Sequence, residues 1–97
     1  MNNAAIHQFV PGQAYLVSHL LRTDSDKPKA TRKVRRIFKG MESRFGGILC
    51  AVFTSQVDKS TSATYDKESA TLTLSGKRLP QSEVSIPHFD LASAEPA

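Results

Sequence analysis

Alternation of apolar and polar residues along the chain predicts a protein built mainly of β-strands. Residues 70–75 alternate strictly, which places Leu72 and Leu74 on one face of a strand. Residues 48–53 are continuously apolar and rich in strand-forming side chains, as in a central strand buried on both faces. Turn-forming residues flank these segments. The predicted strands cover residues 13–22, 32–41, 48–56, 70–75 and 83–86.

The segment 31–45 allows a second interpretation, because its apolar residues also have helical spacing. The residues on that helical face would be Val34, Ile37, Phe38, Met41 and Phe45. Gly46 stands where a helix-ending glycine belongs. Against the helix, four cations would crowd its positive N-terminal end, and Gly40 would lie in its interior. We therefore expect a strand over 32–41 with a bulge at Gly40, turning through 42–47 into the next strand.

The order of these elements predicts one small domain over residues 1–97. Its fold class is mainly β, a partly open barrel or sheet of about five strands, with an α+β domain carrying a helix near 31–45 as the alternative. The short strands, the glycine-marked hairpin, the Ser/Thr-rich connection and a late Glu-Val-Ser-Ile-Pro strand resemble the small SH3-like β-barrels. We expect flexible segments at residues 1–12, 23–30, 55–69 and 92–97.

Composition narrows the class of protein without changing this fold prediction. The chain has 97 residues, and its longest apolar run is six residues, against the roughly 20 that cross a bilayer. The N-terminus has neither the basic nor the apolar region of a secretory signal. The single cysteine, Cys50, cannot form an intramolecular disulfide. We expect a soluble, cytoplasmic protein that does not enter membranes.

The net charge of +4 is distributed unevenly along the chain. From Arg22 to Arg44, nine cations stand against three carboxylates, a net of +6, whereas the rest of the chain carries −2. In a strand, one face would carry Arg32, Val34, Arg36 and Phe38, and the other Lys33, Arg35, Ile37 and Lys39. Such a concentration is typical of surfaces that bind phosphate backbones or acidic proteins, although a basic run can also serve only to solvate a face.

Few residues suggest catalysis or metal binding. Cys50 lies in an apolar run, where burial disfavours the nucleophilic thiolate. His88 and Asp90 would share one face of a strand, but no nucleophile accompanies them. Histidines and cysteine lack the close spacing of a zinc site, and the phosphate-binding glycine motifs are absent from the sequence. We expect no enzymatic activity, no cofactor and no metal.

The basic run therefore carries the functional prediction. We expect a non-enzymatic binding module that engages nucleic acid or a nucleoprotein complex, and six phosphate contacts would give log K against log salt a slope of about −5. The predicted contact residues are the cations Arg32, Lys33, Arg35, Arg36, Lys39, Arg44, Lys77 and Arg78, with the apolar anchors Phe38, Met41 and Phe45. Phe45, Tyr15 or Tyr65 could stack on bases.

The alternative function is that of a small protein inhibitor or adaptor. The compact, basic, single-cysteine chain is similar to accessory proteins that bacteriophages encode, which implies a partner among host nucleic-acid-processing enzymes. The same cations would then meet an acidic or DNA-binding surface of that enzyme, and the apolar anchors would supply affinity. The sequence leaves the oligomeric state open.

Overall fold

A curled antiparallel sheet dominates the computed structural model, which describes residues 9–21 and 29–97. The strands are β1 (Ala14–Leu21), β2 (Lys29–Ala30), β3 (Val34–Arg44), β4 (Ile48–Thr54), β5 (Ser62–Asp66), β6 (Thr71–Ser75), β7 (Glu83–Pro87) and β8 (Leu91–Pro96). A short 3-10 turn, His88–Asp90, joins the last two. The described residues contain no α-helix, so the mainly β prediction is confirmed and the alternative helix over 31–45 is wrong.

Five strands form the main sheet in the order β8-β1-β3-β4-β7, with every neighbouring pair antiparallel. The two-residue β2 extends the row of β3 along the same edge of β1. Strands β5 and β6 form a separate hairpin. The curled sheet is a half-barrel, consistent with the small SH3-like barrels that the order of elements resembles.

Strand β3 changes partners along its length. Its first part pairs with β1, from Val34 opposite Val17 to Ile37 opposite Ala14, and its second part pairs with β4. The register with β4 shifts between Phe38 and Gly40, which confirms the bulge predicted at this glycine. The strand begins two residues later than predicted and continues to residue 44, so the turn is shorter, over 45–47. Strand β4 likewise ends at residue 54 rather than 56.

An irregularity between β2 and β3 is stabilised by Thr31. Its backbone N–H donates to the carbonyl oxygen of His19 at 2.8 Å, and its hydroxyl oxygen accepts from the N–H of His19 at 3.1 Å. The hydroxyl of Ser18 donates to the carbonyl oxygen of Thr31 at 2.6 Å. These hydrogen bonds replace regular ladder pairing, so the polar groups of Ser18 and His19 in β1 keep partners. Arg32 and Lys33 therefore lie in the irregular segment between β2 and β3.

The hydrophobic core lies against one face of the sheet, called the core face below. Its buried residues are Tyr15, Val17, Phe38, Ala51, Phe53 and Ile86. Phe9 closes over them, with ring centroids 4.8 Å from Tyr15, 5.4 Å from Phe38 and 6.0 Å from Phe53. These tilted and edge-to-face arrangements are the favoured ones for aromatic pairs. Phe38, one of the predicted anchors, is only 2% exposed and packs in this core.

Two segments expected to be flexible form strands. Residues 62–66, inside the predicted loop 55–69, form β5. Residues 92–96, most of the predicted tail 92–97, belong to β8. Their hydrogen bonds come from long-range pairing with β1, which the small side chains of this segment do not indicate in the sequence. The other two predicted flexible segments, 1–12 and 23–30, lie largely outside the described residues.

The chain that follows β4 folds back over the second face of the sheet, called the outer face below. Thr61 is 1% exposed there, and the backbone of Gly76, just after β6, packs closely against the backbone of residues 60–61. A Cβ atom on Gly76 would lie 3.0 Å from the Cα of Thr61 and 3.1 Å from the carbonyl oxygen of Ser60. A side chain here would force the backbone of residues 60–61 to shift, and the φ of +150° also favours glycine, so Gly76 allows residues 76–78 to pack on the 58–61 turn.

Gly76→Ala should lower the free energy of unfolding by about 2 kcal/mol, because the new Cβ meets backbone at a φ of +150°. Gly46→Ala is the matched control: its φ is +81°, but nothing lies within 4 Å of the added Cβ, and we expect a loss of about 1 kcal/mol. Urea unfolding of both variants measures the difference. Equal losses would contradict the close packing of the 76–78 segment.

Candidate functional site

The sheet divides the predicted basic run between its two faces. Tyr15 pairs with Arg36 and Leu16 pairs with Arg35, and residues directly opposite in a ladder share a face. Arg36 therefore lies on the core face, with Tyr15, and Arg35 lies on the outer face. This agrees with the alternation predicted for the strand.

Arg35 connects β3 to the 58–61 turn. Its Nη1 donates to the carbonyl oxygens of Asp58 and of Thr61, the latter at 3.1 Å, and its own carbonyl oxygen accepts from the N–H of Val57 at 2.9 Å. The guanidinium is half-buried by these contacts. A cation fixed in this way has a defined position, and part of its donor capacity is used within the protein.

Three further cations gather around the same turn. Lys59 lies within it and is exposed. The hydroxyl of Thr61 donates to the carbonyl oxygen of Arg78 at 3.4 Å, which brings Lys77 and Arg78 to the turn, both with exposed side chains. Distant parts of the sequence thus contribute charge to one region.

Lys33 joins this region from the other side of Arg35. Its Nζ lies 3.0 Å from a carboxylate oxygen of Glu95, and Glu95 pairs with Leu16, the residue that also pairs with Arg35. Both members of this ion pair are more than half exposed, so water and salt screen it strongly. We call Lys33, Arg35, Lys59, Lys77 and Arg78 the cation cluster.

Asp58 is a carboxylate of the turn that Arg35 contacts. Its Oδ1 accepts from the backbone N–H of Ser60 at 2.8 Å and from the hydroxyl of Ser60 at 2.5 Å. These hydrogen bonds, with a smaller contribution from Arg35, hold the pKa of Asp58 below its ordinary value. The carboxylate therefore stabilises the turn that contains Lys59, and its hydrogen bonds to Ser60 offset part of its negative charge.

Arg36 has an internal role on the core face. Its Nη1 donates to the carbonyl oxygen of Thr54 at 3.2 Å, while its Nε is buried without a partner among the described residues. Burial lowers the pKa of this guanidinium. The predicted partner-binding residue Arg36 thus stabilises the junction of β3 and the end of β4 in this structure.

The remaining cations of β3 form an ion-pair network with carboxylates. Lys39 Nζ lies 2.6 Å from Glu83, and Arg44 Nη2 lies 2.8 Å from Glu42 and 3.2 Å from Glu83. The hydrogen bond to Glu42 is the main reason that the pKa of Arg44 is raised. With two cations and two carboxylates, this end of the basic run is electrically neutral. We call these four residues the hairpin network.

The predicted contact residues thus have different environments. Arg32 is exposed and has no ion pair within the described part of the chain. Met41 is partly buried against the core, whereas Phe45, at the end of the β3–β4 hairpin, is 66% exposed. Of the two tyrosines considered for stacking, Tyr15 is buried in the core, and its hydroxyl oxygen accepts from the N–H of Val10.

The residues considered for catalysis do not converge. Cys50 is fully buried, and burial raises the pKa of its thiol, although nearby Arg44 partly opposes this. His88 and Asp90 lie in the 3-10 turn, one exposed and one buried, so they do not share a strand face as predicted. Across residues 9–21 and 29–97, no group of three metal-ligating side chains occurs, and no helix is long and apolar enough to cross a membrane.

Comparisons with protein-family models, with curated proteins and with solved structures find no match to this chain. The candidate site is therefore inferred from the geometry of this chain alone. Lys59 is the member that sequence reasoning missed, because it is 24 positions from Arg35 and only the carbonyl contacts of that arginine bring the two together.

The hairpin network should make stability depend on acid pH. The hydrogen bond with Lys39, supported by Arg44, lowers the pKa of Glu83 below its ordinary 4.5. The folded protein then binds fewer protons than the unfolded chain, so this stabilisation is complete above about pH 4.5 and is lost as the pH falls through the lowered value. Glu83→Gln should lower stability at pH 7 and flatten its decline on acidification.

Urea unfolding at pH 7 and at pH 3 measures this effect, with Glu68→Gln as the control. Glu68 is an exposed carboxylate in the β5–β6 turn, outside the ion pairs described above. A Glu83→Gln profile parallel to that of the Glu68→Gln protein would contradict a role of the hairpin network in acid stability.

Proposed function

We propose that the protein is a non-enzymatic binding module that holds nucleic acid at the cation cluster. The observation that carries this proposal is the convergence of five cations from three separate chain segments around one turn. Two carboxylates described above lie beside these five cations, Asp58 and Glu95, and each already accepts a hydrogen bond. A local excess of positive charge attracts phosphates and releases their counterions.

The arrangement of the cluster favours contacts with the phosphate backbone over contacts with bases. Lys59, Lys77 and Arg78 are exposed on turns, where long side chains adapt to a charged strand. Arg35 is held rigidly by two carbonyl oxygens, so it supplies a fixed charge between them. Backbone contacts position a protein without reading sequence. Weak sequence preference is therefore expected.

The salt dependence of binding tests this proposal quantitatively. If four of the five cations contact duplex phosphates, log K should fall with log salt at a slope of about −3.6. This is shallower than the slope of about −5 expected when six cations of the basic run are free. Fluorescence anisotropy with a labelled 25-base-pair DNA, its single strand and the matching RNA, over a range of NaCl concentrations, measures it.

Variants that each remove one positive charge distinguish binding at the cation cluster from a general effect of the protein's positive charge. Lys59→Gln should weaken binding and reduce the magnitude of the slope by about 0.9, because one phosphate contact is lost. Lys67→Gln removes the same charge from the exposed β5–β6 turn and should leave the slope unchanged. Equal effects of the two variants, or no binding of any of the three probes at low salt, would reject the proposal.

A further inference from the structure

A cleft lies beside the cation cluster, between residues 55–58 and residues 78–81. The first segment follows β4 and the second precedes β7, so the cleft lies just beyond the end of the β4–β7 ladder. Its volume is about 330 Å³, within the range of roughly 300–1,000 Å³ that is typical of sites for small molecules. We call it the ladder cleft and its two segments the walls.

Hydrogen bonds tie the two walls together on either side of the ladder cleft. The N–H of Ser55 donates to the carbonyl oxygen of Ser82 at 2.9 Å, directly after the last pair of the ladder. The hydroxyl of Thr61 donates to the carbonyl oxygen of Arg78 at 3.4 Å. Between these two contacts, Pro80 has no N–H that could continue the pairing. The opening is therefore built into the fold, which favours binding because little has to be ordered.

The walls of the ladder cleft carry apolar side chains outside the core cluster. Leu79 is 47% exposed, and Pro80 beside it is half-buried. Val57, on the other wall, is buried, and its N–H donates to the carbonyl oxygen of Arg35 at 2.9 Å, which fixes this wall to β3. Apolar side chains of this kind can hold the faces of a flat ring.

Each wall also contributes one glutamine. Gln56 and Gln81 both line the ladder cleft and are exposed. A side-chain amide offers a donor and an acceptor together, the combination that hydrogen-bonds the edges of nucleobases. The lining therefore fits a flat group that is apolar on its faces and polar along its edge.

The charge of the ladder cleft differs from the charge around it. Its lining includes one cation, Arg78, and one carboxylate, Asp58, so the cleft itself is neutral. Its walls continue directly into Lys77 and Lys59, and Arg35 donates to the carbonyl oxygen of Asp58. A neutral cleft bordered by cations is complementary to a neutral base that is attached to charged phosphates.

We propose that the ladder cleft accepts one unpaired nucleobase while the cation cluster holds the neighbouring phosphates. This inference rests on the proposed function and names its ligand as single-stranded nucleic acid. The bases of a duplex are paired and stacked, so a duplex can reach the cations but must unstack a base to fill the cleft. The guanidinium of Arg78, in the wall, can stack on the bound base.

Oligonucleotides with and without bases test the proposal on the unaltered protein. The probes are a short single-stranded DNA of mixed sequence, a strand of the same length made entirely of abasic tetrahydrofuran sites, and the corresponding duplex. By fluorescence anisotropy at low salt, we expect the single strand to bind about 10-fold more tightly than the abasic strand, the effect of one well-packed base.

The outcomes of this comparison separate the proposal from the proposed function. Equal affinities for the single strand and the abasic strand would overturn the base site and leave the phosphate contacts of the cation cluster in place. Tighter binding of the duplex than of the single strand would have the same meaning. A failure of all three probes to bind at low salt would reject both.

A leucine variant in the wall tests the position of the base. Leu79→Ala should weaken binding of the single strand about 5-fold, because apolar contact is lost, and leave the abasic strand and the salt slope unchanged, because no cation is removed. Leu49→Ala is the matched control: Leu49 is 39% exposed and pairs with Ser43 near the β3–β4 turn. Equal effects of the two variants on the single strand would overturn the proposal.

The side-chain amide signals of Gln56 and Gln81 report on the ladder cleft directly by NMR. In isotope-labelled protein of natural sequence, saturation with the single strand should shift both signals, and the abasic strand should shift them less. This measurement needs no variant, so it does not depend on the folding of the Leu79→Ala protein. Glutamine signals that stay unshifted on saturation with the single strand would place the base elsewhere and overturn the proposal.

Discussion

Strand β3 has to pair with β1 over its first part and with β4 over its second, and the bulge at Gly40 allows this exchange. Every other strand of the main sheet is positioned through it: β8 by way of β1, and β7 by way of β4. A strand without a bulge would bend and twist less, so its two halves could not curl towards a common core. The bulge therefore determines both the curvature of the half-barrel and the different directions taken by the charges of the basic run.

The same constraint explains why one basic run becomes two different surfaces. Before the bulge, Arg35 lies opposite β1 and reaches the 58–61 turn, where chain from beyond β4 and β6 brings further cations. Within and after the bulge, Lys39 and Arg44 meet carboxylates of β3 and β7. A positive surface and a neutral one thus arise from neighbouring residues. Net charge along the sequence describes neither surface, because ion pairing depends on which strands become neighbours.

Strands with a strong local pattern could be predicted from the sequence. The apolar run of β4 and the alternation of β6 identify them directly, and Gly40 indicates the bulge. Strand β8 could not be recognised, because its small residues become a strand only through pairing with β1, about 75 positions earlier. Phe38 was predicted as an apolar anchor of the basic run, whereas the aromatic cluster with Phe9 holds it in the core. The cation cluster likewise depends on contacts between distant segments.

The pairing of β1 with β8, with Tyr15 opposite Pro96, has a consequence for how the chain acquires its structure during synthesis. Strand β1 leaves the ribosome early, yet one of its edges stays without its partner until β8 has emerged. The hairpins β3–β4 and β5–β6 can form from local contacts in the meantime, but the sheet closes late. During that interval the open edge of β1 is a site where a nascent chain could pair wrongly or be held by a chaperone.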